Sequence, residues 1–183
     1  MIHAKNANLI NYSAENSKKK NLNILIIDDD IKVAECLKEY LELRGHVVTT
    51  VDEGTRGIYQ FYINNFDLIF LDYHLNKDGS PIYCQDKKEN FNKSNLDGAI
   101  ISQCLKGFIN NEKKFLIFAY TGDSSQKAIN KFKKAGMDGV IFKPIDIIIL
   151  NKFMTSLETR DINKTTLNEI FRGSKNSLLL FNI

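Results

Sequence analysis

The sequence predicts an α/β fold in which a doubly wound parallel sheet of five strands carries helices on both faces. Two observations support this prediction. Short, continuous apolar runs recur along the chain, as is typical of strands that are covered on both faces. Between these runs lie longer stretches whose apolar residues repeat at the spacing of an amphipathic helix. Parallel neighbours need crossover connections, which are usually helical, so this alternation predicts consecutive βα units.

The predicted elements follow one another in a regular order. The strands are residues 24–27, 46–51, 68–71, 116–120 and 140–142. A helix follows each strand, and the apolar faces of these helices carry Val33, Leu37 and Leu41; Ile58, Phe61 and Tyr62; Ile101, Cys104, Leu105 and Phe108; Ala128, Phe132 and Ala135; and Leu150, Phe153, Met154 and Leu157. Gly45 and Gly136 stand where a left-handed residue often ends a helix. The first and fourth helices are therefore predicted to end just before the next strand.

One domain with two appendages is the predicted organisation, since 183 residues suffice for one good core and are few for two. Residues 1–22 are rich in Asn, Ser and Lys without periodicity, which predicts a flexible arm. The domain is predicted at residues 23–158. Within it, residues 77–96 are polar and lack a period, which predicts an insertion between the third strand and the third helix. Residues 159–183 form a C-terminal extension, whose apolar end LLLFNI we expect to fold back on the domain.

Composition and charge exclude several classes of protein. With 43% apolar and 26% charged residues, the chain is expected to be soluble and globular. A net charge of +3, with lysines scattered along the chain, argues against nucleic-acid binding. Cys36, Cys84 and Cys104 are odd in number and lack a CxxC spacing, which predicts reduced thiols and no zinc site. No segment looks like a signal peptide or a membrane span, so we expect a cytoplasmic protein without a membrane partner.

Polar residues follow four of the predicted strands at their carboxyl ends, where ligands bind in open parallel sheets. They are Asp28, Asp29 and Asp30 after the first strand, Asp72 after the third, Thr121 after the fourth and Lys143 after the fifth. Gathered carboxylates repel one another unless a cation neutralises them, and hard oxygen ligands suit Mg²⁺. A carboxylate at such a site can attack phosphorus, and a nearby lysine and hydroxyl can hold the charge of the transferred oxygens.

Five consecutive motifs resemble the CheY-like receiver family of two-component response regulators. They are ILIIDDD, DLIFLDYHL, LDGAIISQCLK, FLIFAYTGD and KKAGMDGVIFKP, and they span about residues 23–157. Their ordered combination is far more specific than any single motif. The resemblance implies a flavodoxin-like sheet with strand order 2-1-3-4-5.

The resemblance also implies a role for each residue of the site. The acidic pair corresponds to Asp28 and Asp29, the phosphoacceptor to Asp72, the switch hydroxyl to Thr121 and the phosphate-binding lysine to Lys143. Mg²⁺ is expected to be held by Asp29, Asp72 and the backbone carbonyl of His74, with Asp28 acting largely through a bound water. The peptide bond before Pro144 is expected to be cis.

By the same resemblance, the domain takes a phosphoryl group from a phosphohistidine donor with the help of Mg²⁺ and later loses it by hydrolysis. The implied partner is a sensor histidine kinase or a phosphotransfer protein, and the implied role is that of a switch or relay. The domain supplies the chemistry for its own modification, so turnover of an external substrate is not expected.

Two departures from the family pattern stand out. Three residues before Lys143, where relatives usually carry an aromatic switch residue, the chain has Val140, which is too small to swing between buried and exposed positions. Asn76 replaces the proline that commonly follows the phosphoacceptor, and residues 77–96 come directly afterwards. The mouth of the site is therefore expected to be remodelled.

Other interpretations of these residues remain open. Asp28 and Asp29 can cap the next helix, and His74 can be an exposed neighbour that tunes the rate by shielding. A haloacid-dehalogenase-like phosphatase also fits the DxD pattern of residues 28–30, but it needs a second acidic pair where only Asp146 and Asp161 follow singly. A binding module that keeps the fold and works without phosphorylation is suggested by Val140.

Overall fold

The structure is a computed structural model, and it describes residues 19–75, 97–107, 114–159 and 178–181. The strands are β1 (Asn23–Ile27), β2 (Val47–Val51), β3 (Leu68–Leu71), β4 (Leu116–Thr121), β5 (Gly139–Phe142) and β6 (Leu178–Leu180). The helices are α1 (Ile31–Leu43), α2 (Gly54–Ile63), α3 (Gly98–Gly107), α4 (Gln126–Lys134) and α5 (Ile147–Thr159). No described helix is long and apolar enough to cross a membrane.

The strands form one sheet in the order β2-β1-β3-β4-β5-β6. Strands β1 to β5 are parallel neighbours, so the strand order implied by the resemblance is confirmed. The predicted doubly wound α/β fold is confirmed, and the sheet has a sixth strand beyond the five predicted, because antiparallel β6 pairs Leu179 with Val140. A three-residue strand is too short to show a period, and its pairing depends on an open edge of β5 that no local pattern displays.

Helices cover both faces of the sheet, as predicted, because successive strand residues point to opposite faces. On one face, Ile24, Ile26, Phe70 and Phe118 pack with apolar residues of α1 and α5. On the other face, Leu25, Ile27, Ile69 and Ile117 pack with apolar residues of α2, α3 and α4. Burial on both faces explains why the strands appear in the sequence as continuous apolar runs.

The ends of α1 and α4 follow their local chemistry. Asp30 is the N-cap of α1, where its side chain accepts hydrogen bonds from the backbone N–H groups of Lys32 and Val33. Gly45 has φ 91° and Gly136 has φ 77°, which confirms the predicted left-handed helix ends. A side chain is disfavoured at such angles, so glycine stops both helices one turn or less before a strand.

The predicted insertion at residues 77–96 and the predicted arm up to residue 18 lie outside the described residues. Leu22, at the end of that arm, is buried, and the backbone N–H of Lys20 donates to the carbonyl of Glu158 at 3.0 Å.

The prediction of three reduced thiols is wrong, because Cys104 is disulfide-bonded, whereas Cys36 is a free, exposed thiol. Cysteine spacing in a sequence carries no information about thiols that the fold brings together.

Candidate functional site

The parallel register brings four strand ends to one edge of the sheet. Leu71, the last residue of β3, lies beside Ile27 of β1, and Thr121, the last residue of β4, lies beside Phe142 of β5. The residues that follow are held by the same ladder. The backbone N–H of Asp72 donates to the carbonyl of Ile27, and that of Lys143 donates to the carbonyl of Thr121, each at 2.8 Å.

Lys143 places a positive charge between two carboxylates of the site. Its Nζ lies 2.7 Å from Asp28 Oδ2 and 3.0 Å from Asp72 Oδ1. Burial alone lowers the pKa of Lys143, but the adjacent carboxylates of Asp28 and Asp72 outweigh burial, so this pKa lies above its usual value. Burial raises the pKa of the Asp28 carboxyl, although Lys143 opposes that effect. The Lys143–Pro144 peptide bond is cis, as the resemblance implied.

Three carboxylates of the site form a candidate metal centre. Asp28, Asp29 and Asp72 each offer an oxygen, and these oxygens lie within 4.8 Å of one another. Within the described part of the chain, the buried Asp28 Oδ2 has its ion pair with Lys143 but no well-directed hydrogen bond. Hard, charged oxygen donors of this kind fit Mg²⁺. Coordination of Mg²⁺ by the backbone carbonyl of His74 stays a prediction.

Asp30, and not the two preceding aspartates, caps helix α1. Asp30 Oδ1 accepts from the backbone N–H groups of Lys32 and Val33 at 3.1 and 3.3 Å. Asp28 Oδ1 instead accepts from the backbone N–H of Asp30 at 3.0 Å, which orients its carboxylate inside the site. The capping alternative therefore describes Asp30, and Asp28 and Asp29 remain available for a ligand.

Thr121 joins the site to the start of α4. It is fully buried, and its Oγ1 accepts from the backbone N–H of Asp123 at 3.2 Å, so its own hydroxyl hydrogen remains available for donation. Asp123 in turn accepts from the backbone N–H of Ser125, whose hydroxyl caps α4. The hydrogen bond from Ser125 holds the pKa of Asp123 below its usual value.

Two residues of the site were not singled out from the sequence. Tyr120 is 4% exposed, and its ring centroid lies 4.8 Å from the Nζ of Lys143. Burial raises the pKa of Tyr120 to about 12, so it stays neutral and offers its ring to the ammonium. The second residue is Gly98. A Cβ at this position would lie 2.3 Å from the carbonyl oxygen of Asp72, so a residue without a side chain is needed there. Its place in an Asp-Gly pair before a helix was the available signal.

The two departures from the family pattern have different outcomes. Val140 is fully buried and lies beside Leu179 of β6. Asn76 lies outside the described residues. The side chain of His74 is 69% exposed, with Nε2 at 3.9 Å from Asp123 Oδ2, so it stands at the rim of the site.

Comparison with known proteins supports the fold of this chain. No protein-family model matches the chain. Over 130 residues, it is 25% identical to the CAI-1 autoinducer sensor kinase/phosphatase CqsS of Vibrio cholerae, and the match covers 70% of this chain but 16% of that relative's length. It superposes on the chemotaxis response regulator CheY4 of Vibrio cholerae with a TM-score of 0.55 and 18% identity, covering 69% of this chain and 90% of that one.

A second structure is the co-crystal structure of the Saccharomyces cerevisiae histidine phosphotransfer signaling protein Ypd1 and the receiver domain of its downstream response regulator Ssk1. Here the TM-score is 0.62 at 17% identity, and the match covers 80% of this chain and 94% of that one. The chain has the CheY-like receiver fold. At such identities the likeness to these structures establishes the fold alone, and the roles of the residues rest on their geometry.

Proposed function

We propose that this receiver domain accepts a phosphoryl group on Asp72 from a phosphohistidine donor, and that it works as a switch or relay in two-component signalling. One observation carries the proposal. Asp28, Asp29 and Asp72 present clustered oxygens at the carboxyl edge of the sheet, with the ammonium of Lys143 bound to two of them. Such a cluster has a nucleophilic carboxylate, a place for a divalent cation and a fixed positive charge within one site.

The proposed transfer uses the chain's own side chains in distinct ways. An oxygen of Asp72 attacks phosphorus, the P–N bond to the donor imidazole breaks, and its electron pair stays on that nitrogen. Lys143 then stabilises a phosphoryl oxygen, and the hydroxyl of Thr121 donates to another. Mg²⁺ held by Asp28, Asp29 and Asp72 would neutralise further charge on the phosphoryl oxygens. Hydrolysis follows when water attacks phosphorus and the Asp72 carboxylate leaves.

The comparisons support a partner that carries a phosphohistidine. Ssk1 was crystallised through its receiver domain with a histidine phosphotransfer protein, and the relative CqsS is a sensor kinase/phosphatase. A sensor histidine kinase or a phosphotransfer protein is therefore the proposed donor, and the cytoplasm is the proposed place of exchange. The domain assists its own phosphorylation and dephosphorylation, and we expect no turnover of an external substrate.

The rival phosphatase function has weaker support. Its second acidic pair would have to include Asp146 or Asp161. Asp146 accepts from the backbone N–H groups of Ile148 and Ile149 at the start of α5, so its carboxylate serves that helix. Asp161 lies outside the described residues. Within the described residues, the acidic cluster that meets metal-ligand spacing is the one formed by Asp28, Asp29 and Asp72.

The proposal is tested by labelling with a small-molecule phosphodonor and mapping the modified residue. Asp72→Asn is expected to abolish acid-labile, hydroxylamine-sensitive phosphorylation and to leave the fold intact, because one strand-end carboxylate changes and the core does not. The matched control is Asp52→Asn, which alters an exposed carboxylate paired with Arg56 and should label fully. Full labelling of Asp72→Ala would refute the assignment to Asp72, and an absence of labelling in wild type would favour a binding module that works without phosphorylation.

A further inference from the structure

Tyr73, the residue after the proposed phosphoacceptor, contacts helix α4. The ring of Tyr73 packs edge-on against Phe132 with centroids 5.1 Å apart. Lys131 Nζ donates to the hydroxyl of Tyr73 at 3.2 Å and stands 5.1 Å from the centroid of the same ring. The side chain next to Asp72 in the chain is therefore fixed by two consecutive residues of α4.

A second connection reaches the same lysine from α3. Asp97 Oδ1 accepts from the backbone N–H groups of Ala99 and Ile100, which caps α3. The other oxygen of Asp97 is bound to the ammonium of Lys131. The next residue, Gly98, donates its backbone N–H to the carbonyl of Tyr73 at 3.1 Å. A Cβ at Gly98 would overlap the carbonyl oxygen of Asp72, so the start of α3 lies directly against the peptide that follows the phosphoacceptor.

We propose that Lys131 is a positioning residue that couples the phosphorylation state of Asp72 to helix α4. This inference rests on the proposed function. Tyr73 and the start of α3 both adjoin the backbone of Asp72, and the single ammonium of Lys131 holds both to α4. A shift of either contact on phosphorylation changes the set of bonds at Lys131, and this difference between states is what biases the position of α4.

The charge state of Lys131 suits this role. Burial alone lowers the pKa of Lys131, but hydrogen bonds to Asp97 and Tyr73 outweigh it, and the pKa lies above its usual value. The ammonium therefore remains charged throughout the physiological range and keeps both partners. By contrast, Lys134 of the same helix is exposed, so it offers a matched substitution with the same change of charge.

The test compares hydrogen exchange of the full chain with and without Mg²⁺ and beryllium trifluoride, a mimic of the phosphoryl group. Variants are Lys131→Met, Lys131→Arg and Lys134→Met, and the fluorine resonances of the bound mimic report loading of the site. We expect wild type, Lys131→Arg and Lys134→Met to show the same exchange change in residues 126–134. In Lys131→Met this change should fall by at least about half, while loading is retained. Rescue by arginine separates coupling from a merely structural role.

The possible failures are distinguishable. If wild type does not bind the mimic, the proposed function is wrong. If wild type binds it and Lys131→Met shows the full change in residues 126–134, the coupling role is wrong and the proposed function stands. Should Lys131→Met fold poorly, the double variant Tyr73→Phe with Asp97→Asn removes the hydroxyl and the charge that bind Lys131 and leaves the ring packing. A full response in that variant would likewise overturn the coupling role.

Discussion

At the residue scale, the ammonium of Lys143 offsets the repulsion among the carboxylates of the site. Buried like charges are costly unless an opposite charge lies close to them. The ammonium of Lys143 meets one oxygen of Asp28 and one of Asp72, and the ring of Tyr120 lies beneath it. The site is thus neutralised in part by the chain itself, and a divalent cation would share Asp28 and Asp72 with this lysine.

Adjacent aspartates at the end of β1 are expected to respond differently to truncation. Asp29→Ala should weaken Mg²⁺ binding about 10-fold to 100-fold, because a hard cation loses a charged oxygen ligand. Asp30→Ala should leave Mg²⁺ binding nearly unchanged and lower the free energy of unfolding by about 1 kcal/mol, because α1 loses its N-cap. Calorimetric Mg²⁺ titration and urea denaturation of both variants measure this contrast. An unchanged Mg²⁺ titration in Asp29→Ala would exclude the proposed metal centre.

Strand-end positions made the main residues of the site predictable. Asp28, Asp72, Thr121 and Lys143 follow four of the five apolar runs, and a parallel sheet brings such residues to one edge. The cap at Asp30 was harder to predict, because three aspartates in a row are equally good N-caps by composition. Tyr120 was missed for another reason: the contact with Lys143 depends on how two strands lie side by side, which local sequence does not display.

At the scale of elements, the buried Glu158 ties three segments together. Its carboxylate receives two hydrogen bonds from Arg44, at the end of α1, each at 2.9 Å. Nε2 of His46, the residue before β2, lies 3.0 Å from Glu158 Oε1, and Nδ1 of His46 accepts from the backbone N–H of Leu22. Lys19 also pairs with Glu158 at 2.9 Å. The end of α5 is thereby fixed to α1, β2 and residues 19–22.

This cluster is expected to make stability depend on pH. Burial lowers the pKa of His46 below its usual value of 6.5, although the neighbouring Glu158 acts in the opposite direction; Arg44 and Lys19 add to the lowering. As the pH falls below 6.5, the unfolded chain binds the proton more readily than the folded one. The contribution of neutral His46 to the free energy of unfolding is thus fully present above pH 6.5. It is lost as the pH falls toward the pKa that His46 has in the folded state.

Urea denaturation at pH 7.5 and 5.5 measures this effect. Wild type should lose stability between the two conditions, and His46→Gln should lose less, because no imidazole is left to take up a proton at Nδ1. The control His74→Gln alters an exposed histidine and should lose as much as wild type. An equal loss in His46→Gln and wild type would show that His46 is not the titrating group.

Long elements were predictable from their periods, and short or non-local ones were not. The helices α1 to α5 repeat apolar residues over several turns, so their existence followed from the sequence pattern. Strand β6 has three residues, and its apolar run predicted a segment that folds back without indicating a strand. Its place was available because β5 ends the parallel sheet and leaves an edge that another strand can pair with.

At the scale of the whole molecule, β6 separates Val140 from solvent. Val140 has no exposed surface, and Leu179 lies beside it in the antiparallel pair. The backbone of β6 also comes close to Gly139, where a Cβ would lie 2.5 Å from the carbonyl oxygen of Leu179. The Lys133 ammonium stands 5.2 Å from the ring of Phe181, which adds a contact between α4 and the residue after β6. The outer side of β5 is therefore a packed surface.

Phosphorylation is consequently expected to act elsewhere than at Val140. A phosphoryl mimic shifts an equilibrium only through contacts that differ between two states. Residues 121–125 include Thr121 and the hydrogen bonds that lead to α4. Residues 77–96 precede Asp97 in the sequence, and Gly98, the residue after Asp97, lies against the carbonyl of Asp72. Val140 is a β-branched residue with few alternative rotamers and is fully enclosed. We expect hydrogen exchange on addition of the mimic to change more in residues 121–125 and 77–96 than around Val140.

The measurement is hydrogen exchange of the full chain with and without the mimic, and Asp72→Asn with the mimic is the control that should show no change. Changes confined to residues 121–125 and 77–96 would mean that the signal leaves through these segments and α4. Changes chiefly around Val140 and α5, with residues 77–96 unaffected, would contradict this prediction. In that case β6 or another neighbour of Val140 must shift when Asp72 is loaded, because a side chain with no exposed surface exchanges partners only if its neighbours move.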